Sequence, residues 1–203
     1  LVRSRGLGDV YKRQGEELIN SGSSTVLVSL AAGITLVAMD GAVSAAGTPI
    51  VRVMPNTPMV VGKGVLAVAC GRFVDGNQRS DVVKLLSAVG QVVEVSESQM
   101  DAVTAISGSG PAYFFLVAEA LTDAGVSLGL PRDMAEQLAC ATAAGAGAML
   151  EGGDSPVQLR ANVSSPAGTT VRAIRELEES GLRGAFYRAT EICARRSEEL
   201  GKA

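Results

Sequence analysis

The sequence contains no histidine. That absence excludes Ser-His-Asp hydrolysis, Cys-His catalysis and every His-ligated metal site. Chemistry in this chain rests on a cofactor, or on hydroxyls, amides and carboxylates, and no metal site is expected. Cysteine is scarce: Cys70, Cys140 and Cys193 are odd in number and far apart. They form neither a disulfide framework nor a zinc pattern, which points to a reducing compartment and a cytoplasmic location. Basic residues are not in excess, 18 Lys and Arg against 21 Asp and Glu, so no nucleic-acid partner is expected. Long apolar runs are missing as well. The most apolar helical stretch, residues 134–150, is short, rich in alanine and glycine and interrupted by Glu136. No membrane span is expected, and no signal-peptide pattern opens the chain.

What is present reads as a globular protein, 47% hydrophobic and 19% charged over 203 residues, long enough for one large domain or two small ones. The first fourteen residues, "LVRSRGLGDVYKRQ", hold four of the eighteen basic residues and show no apolar period. Gly6 and Gly8 mimic the start of a dinucleotide fingerprint, but its third glycine position is Tyr11 and no buried strand leads into it. Residues 1–14 therefore read as a leader foreign to the rest, an artefact or a poorly ordered stretch.

From Gly15 the pattern is regular. "GEELIN" reads as the end of a helix and "TVLVSL" as a short buried strand. "PIVRVMP", "GVLAVACG" and "QVVEVS" are further strands, with helical patterns in "GITLVAMDGAV" and "DVVKLLSAVG". Strands alternating with helices predict an α/β unit with a mostly parallel sheet over residues 15–96. After Ser96 only helical patterns follow, so residues 97–203 are predicted to be all-helical. "SGSGPAY" is expected to break one helix and start the next, with Ser109 as its cap. The run "ATAAGAGAM" is too small-sided for an ordinary solvent-facing helix and predicts a close helix–helix contact, plausibly across subunits.

One stretch carries more chemistry than its structure needs. "VSSPAGTTVRAIREL", residues 163–177, crowds four hydroxyls at a helix start, where one suffices as a cap. The excess suggests a site that holds an anion on free N–H groups and offers a hydroxyl beside it.

In this order and at these spacings, "SLAAGI", "VRVMPNTP", "AISGSGPAYFF", "GLPR" and "NVSSPAGTTVRAI" resemble the pyrroline-5-carboxylate reductases, enzymes of the last step of proline synthesis. The resemblance implies a Rossmann domain followed by a helical substrate-binding domain that interleaves with a second subunit. The homodimer often assembles further into rings. The family's opening strand and G-x-G-x-x-G turn have no counterpart here. The expectation is therefore a partial Rossmann domain followed by an all-α dimerisation domain, without detectable turnover for the chain as written.

The resemblance also assigns residues. Ser165, Gly168, Thr169 and Thr170 would bind the substrate carboxylate, with Thr170 placing its hydroxyl near the ring nitrogen as the catalytic candidate. Glu97 matches a position that reaches proline in some members. Leu30, Ala31, Ala32 and Asn162 would contact the cofactor, NADPH or NADH, and Pro55 and Asn56 would wall its nicotinamide. Reducing a carbon–nitrogen double bond fits a histidine-free chain, because the cofactor brings the hydride and the protein mainly positions two rings. Two alternatives stand beside this reading. One is a β-hydroxyacid dehydrogenase-like enzyme, which would need a lysine acid, although Lys84 and Lys202 sit in no site-like setting. The other is an inactive helical dimerisation fragment.

Overall fold

A computed structural model describes residues 25–43 and 47–202. The leader and the expected helix end at "GEELIN" lie outside the described residues. Four strands form one sheet in the order β1 (Leu27–Ser29), β2 (Ile50–Met54), β3 (Gly64–Cys70) and β4 (Gly90–Glu94). β1 and β2 are parallel, as are β3 and β4, and each pair is joined through a helix: α1 (Leu36–Ala42) or α2 (Gly76–Leu86). β2 and β3 are antiparallel. Residues 55–63 are too few for a parallel crossover, which takes a dozen or more. They form instead a 3₁₀ turn, Thr57–Val61, with Pro58 in its first turn and Gly62 closing it at φ +72°.

Side-chain alternation along β2 covers both faces of the sheet. Val51 and Val53 join Leu66, Val68 and Val82 of α2. Ile50 packs with Met39 and Val43 on the α1 side, and Ala67 and Ala69 meet Met100. Each such buried Val, Leu or Ile contributes about 1.5–3 kcal/mol. Arg52 lies buried in the middle of this strand, only 3% exposed.

The remaining described chain is helical: a 3₁₀ turn Glu97–Gln99, α3 (Met100–Val103), a π turn Thr104–Gly108, α4 (Gly110–Ser127), α5 (Arg132–Glu151), α6 (Pro156–Asn162), α7 (Thr169–Glu179) and α8 (Leu182–Gly201). At "SGSGPAY" the π turn ends at Gly108 and α4 starts at Gly110, the expected joint between two helical elements. The backbone of Ser109 between them is helical, its N–H reaches back five residues to the Thr104 carbonyl, 2.8 Å, and its hydroxyl lies 3.2 Å from the Cys193 Sγ. One extra residue is wound into the turn. Thr104 bonds back to the Met100 carbonyl at 2.8 Å, a contact that loosens a helix, and Pro111 brings no N–H to the next turn.

By packing, the chain divides into two compact units. One runs to Pro111 and takes in the chain again from Thr190; the other is Ala112–Ala189. In the first unit the end of α8 lies on the turn after β1. The Ser197 hydroxyl donates to Asp101 Oδ1 at 2.7 Å. Gly33, at φ +79°, sits so close beneath Leu200 that a Cβ there would lie 2.7 Å from the leucine Cβ. Only glycine meets both demands.

Candidate active site

The start of α7 differs from those of three other helices. α1, α2 and α6 are each capped by a side-chain oxygen, from Thr35, Asp75 and Ser155 respectively. The N-cap of α7 is Gly168, with no side-chain cap, although Ser164, Ser165, Thr169 and Thr170 all stand within reach in sequence. Ser164 turns away and donates to the Arg160 carbonyl of α6 at 2.6 Å. The amides at Thr169 and Thr170 open the helix, where unpaired N–H groups and the helix dipole favour an anion. Ser165 and Thr169 are exposed, and Gly168 and Thr170 are half-buried.

The turn before this helix is tight. Gly168 N–H donates to the Ser165 carbonyl at 3.0 Å, and a Cβ on Gly168 would come within 2.5 Å of the Ser165 hydroxyl. Ala167 has φ +60°, the one non-glycine with positive φ among the described residues. The left-handed region costs such a residue roughly 1–2 kcal/mol, and strain of this kind gathers at ligand sites. Ala167→Gly should relieve it, less the roughly 0.5–1 kcal/mol of chain entropy that glycine loses on folding. A calorimetric scan is expected to show the midpoint raised by about 1–3 °C; a lowered midpoint would contradict the strain.

A second group gathers at the edge of the sheet in the first unit. Because β1 and β2 are parallel, with Ser29 beside Arg52, both chains leave the sheet at one edge, where open α/β sheets bind cofactors. Leu30 and Ala32 are exposed there and Ala31 is half-buried, its N–H turned back toward the Ser29 hydroxyl at 3.4 Å. Methyl-sized side chains at this edge leave room for a nicotinamide and its ribose, so the turn fits that end of the cofactor. Pro55, half-buried, follows β2 at the same edge. Asn56 has both ends of its amide occupied within the protein. Its Oδ1 accepts from Val65 N–H at 2.8 Å, and its Nδ2 donates to the Ser107 carbonyl at 3.1 Å.

Glu97 is also engaged within the first unit. Its Oε1 accepts from Arg52 at 2.8 Å and from the Leu36 amide, at the start of α1, at 3.0 Å. Its Oε2 is buried without a hydrogen-bond partner among the described residues. Arg52 is the residue that sequence reasoning passed over, although a charge inside an apolar strand demands a buried partner.

The structure thus brings Leu30, Ala31, Ala32, Pro55, Asn56 and Glu97 into one unit, and Asn162, Ser165, Gly168, Thr169 and Thr170 into the other. Asn162, exposed at the end of α6, accepts from Gln158 at 2.7 Å. Among the described residues no group of three metal-ligating side chains occurs. Cys70 carries no sign of activation. Burial and the nearby Glu94 carboxylate hold its thiol above the usual range, with Arg79 opposing them.

The family model for pyrroline-5-carboxylate reductase dimerisation matches residues 97–200. The pyrroline-5-carboxylate reductase of Corynebacterium melassecola is 63% identical, the match covering 99% of this chain and 74% of that protein. The chain belongs to the pyrroline-5-carboxylate reductase family.

Further reductases agree. The one from Mycobacterium leprae is 47% identical over 96% of this chain and 71% of its own length. The solved reductase of Coxiella burnetii superposes with a TM-score of 0.88 at 41% identity, covering 95% of this chain and 73% of that one. The Plasmodium falciparum reductase, solved with NADP bound, gives 0.86 at 34% identity, covering 96% and 77%. These relatives replace the β-hydroxyacid dehydrogenase alternative. Membership in this family of NAD(P)H-dependent oxidoreductases also explains the second unit. Of residues 112–189, only Thr122, Ala135 and Ala139 are fully buried. Phe114, Phe115, Leu116 and Leu138 are more than half exposed, and residues 141–150 of α5 are exposed all round. Helices with so little core of their own need a partner surface to be stable, as a dimerisation domain implies.

Proposed function

We propose that the intact protein reduces 1-pyrroline-5-carboxylate to L-proline with hydride from NADPH or NADH, acting as a homodimer. The observation that carries this reading is the uncapped start of α7. Four hydroxyls stand beside it and none satisfies it, so the helix terminus is left for the substrate carboxylate. Thr169 and Thr170 amides and the Ser165 hydroxyl hold that carboxylate. Gly168 keeps the backbone low enough for the ring to lie over it. With the carboxylate fixed, the Thr170 hydroxyl stands beside the imine nitrogen and orients it.

When bound, the nicotinamide supplies the hydride that reaches the imine carbon, while the nitrogen takes one proton from water or through a hydroxyl. The residues around Ala31, Ala32 and Pro55 hold the nicotinamide end, with Leu30 as a further contact. Because the nitrogen is basic, no strong side-chain acid is required, which accords with a sequence free of histidine. Assembly of dimers into a larger ring, and a cytoplasmic location, belong to the same proposal. The location is supported by three free cysteines and by the lack, among the described residues, of a helix long and apolar enough to cross a membrane.

The test is oxidation of NADPH by the purified protein on addition of pyrroline carboxylate, followed by absorbance. In the intact protein Thr170→Val keeps the side-chain shape and removes one hydrogen bond. It should lower kcat/KM roughly 10- to 100-fold, the equivalent of about 1–3 kcal/mol. Kinetics equal to the parent would remove Thr170 from the reaction.

A further inference from the structure

We propose that Asn56 is a positioning residue of the reductase, and that it acts through the π turn of Thr104–Gly108 and not by touching the cofactor. The inference rests on the functional reading above. Asn56 stands where β2 leaves the sheet, at the edge that receives the nicotinamide. Its side chain closes the mouth of the β2–β3 hairpin by accepting from Val65 N–H at 2.8 Å. The same amide donates to the Ser107 carbonyl at 3.1 Å and lies 3.4 Å from the Ser107 hydroxyl.

The bond to Ser107 has a specific cause. In a regular α-helix the Ser107 carbonyl would accept from the N–H four residues on, but that residue is Pro111 and has none. Asn56 offers that carbonyl a donor from another element, 51 residues away in sequence. A second contact reinforces the joint. Gly108 lies against the Met54 side chain, and a Cβ on Gly108 would fall 2.5 Å from the Met54 Cε. The π turn is thereby pinned at two points, to the last residue of β2 and to the segment that follows it. A wound-in extra residue is an unstable form of helix unless its freed groups are satisfied, and such turns gather at functional sites. Asn56 is thus the element that holds this turn in register with the cofactor edge. A displacement of about 1 Å at a site that positions two rings costs on the order of 100-fold in rate.

Asn56→Asp keeps the acceptor for Val65 and replaces the donor to Ser107 with a repelling oxygen. Asn56→Ser loses both bonds without adding a charge and serves where the aspartate variant does not fold. In the intact protein either should lower kcat on pyrroline carboxylate by about tenfold to 100-fold. The KM for NADPH should stay within about threefold of the parent, because binding contacts are untouched. Amide hydrogen exchange in residues 104–110 should quicken in the same samples. Faster exchange with kcat unchanged would make the joint merely structural and overturn the proposal, as would unchanged exchange. A raised KM for NADPH with kcat preserved would instead make Asn56 a direct cofactor contact. A parent protein that does not reduce pyrroline carboxylate would defeat the functional reading itself, and this proposal with it.

Discussion

Glu97→Ala is expected to destabilise the fold by about 1.5–3 kcal/mol, the range for losing a hydrogen bond to a charged group, because Arg52 is buried while the Glu97 side chain is 31% exposed. Arg52 stands in β2 between neighbours that face apolar packing, its side chain 4% exposed, and Glu97 meets it at 2.8 Å. Without the carboxylate, a guanidinium would be left inside the sheet with its charge uncompensated. The double variant Arg52→Met with Glu97→Leu should recover most of the loss, since apolar residues of similar volume often replace such pairs at little cost. It should remain about 1 kcal/mol short, because the Leu36 amide also loses its acceptor. Denaturant unfolding followed by circular dichroism measures all three proteins. A Glu97→Ala protein as stable as its parent would mean the pair holds nothing together, and would return Glu97 to the list of groups free to meet substrate.

The second large effect is on assembly. Gly145 and Gly147 lie two residues apart on α5, so they face different sides of the helix. Within one chain, apart from adjacent residues and the helix's own backbone, neither has an atom within 4 Å of where a Cβ would be. A leucine at either position therefore meets no obstacle inside its own subunit, and any loss of assembly reports a neighbouring copy. One of Gly145→Leu and Gly147→Leu should run as a dimer in size-exclusion chromatography and the other as a monomer or an insoluble protein, through overpacking against the partner. Parent and both variants all eluting as monomers would refute the homodimer.

The architecture was legible where local pattern decides it. Apolar strands bounded by turn residues, first-turn prolines and closing glycines placed the four strands and the long helices close to where they lie. The antiparallel turn between β2 and β3 was implicit in the short spacer. The π turn was not legible, because one extra residue in a helical pattern leaves the apolar period almost unchanged. What marks it is the pairing of Pro111 with an asparagine far away in sequence, which no local window contains. The resemblance alone brings Glu97 near substrate; its position in a first turn signals nothing about its partner. The informative residue was Arg52, whose charge in an apolar strand shows its meaning only once the strand is known to be covered on both faces. At α7 the hydroxyl-rich motif was visible at once. That none of its hydroxyls caps the helix, and that Ala167 adopts a left-handed backbone, are facts of three-dimensional placement.

The meeting of Gly33 with the last turn of α8 bears on how the protein is made. Residues 197–201 pack on a turn that leaves the ribosome more than 160 residues earlier. While the chain is being synthesised, the sheet and its helices can assemble as they emerge, but the turn after β1 must wait without its cover until α8 is released. Contacts so distant along the chain form late and slowly. Until then the turn after β1 stands open to other nascent chains. A chain ending within α8 would form its sheet with the turn after β1 unsupported, and released chains ending before and after Gly201 should differ in protease sensitivity at residues 30–35.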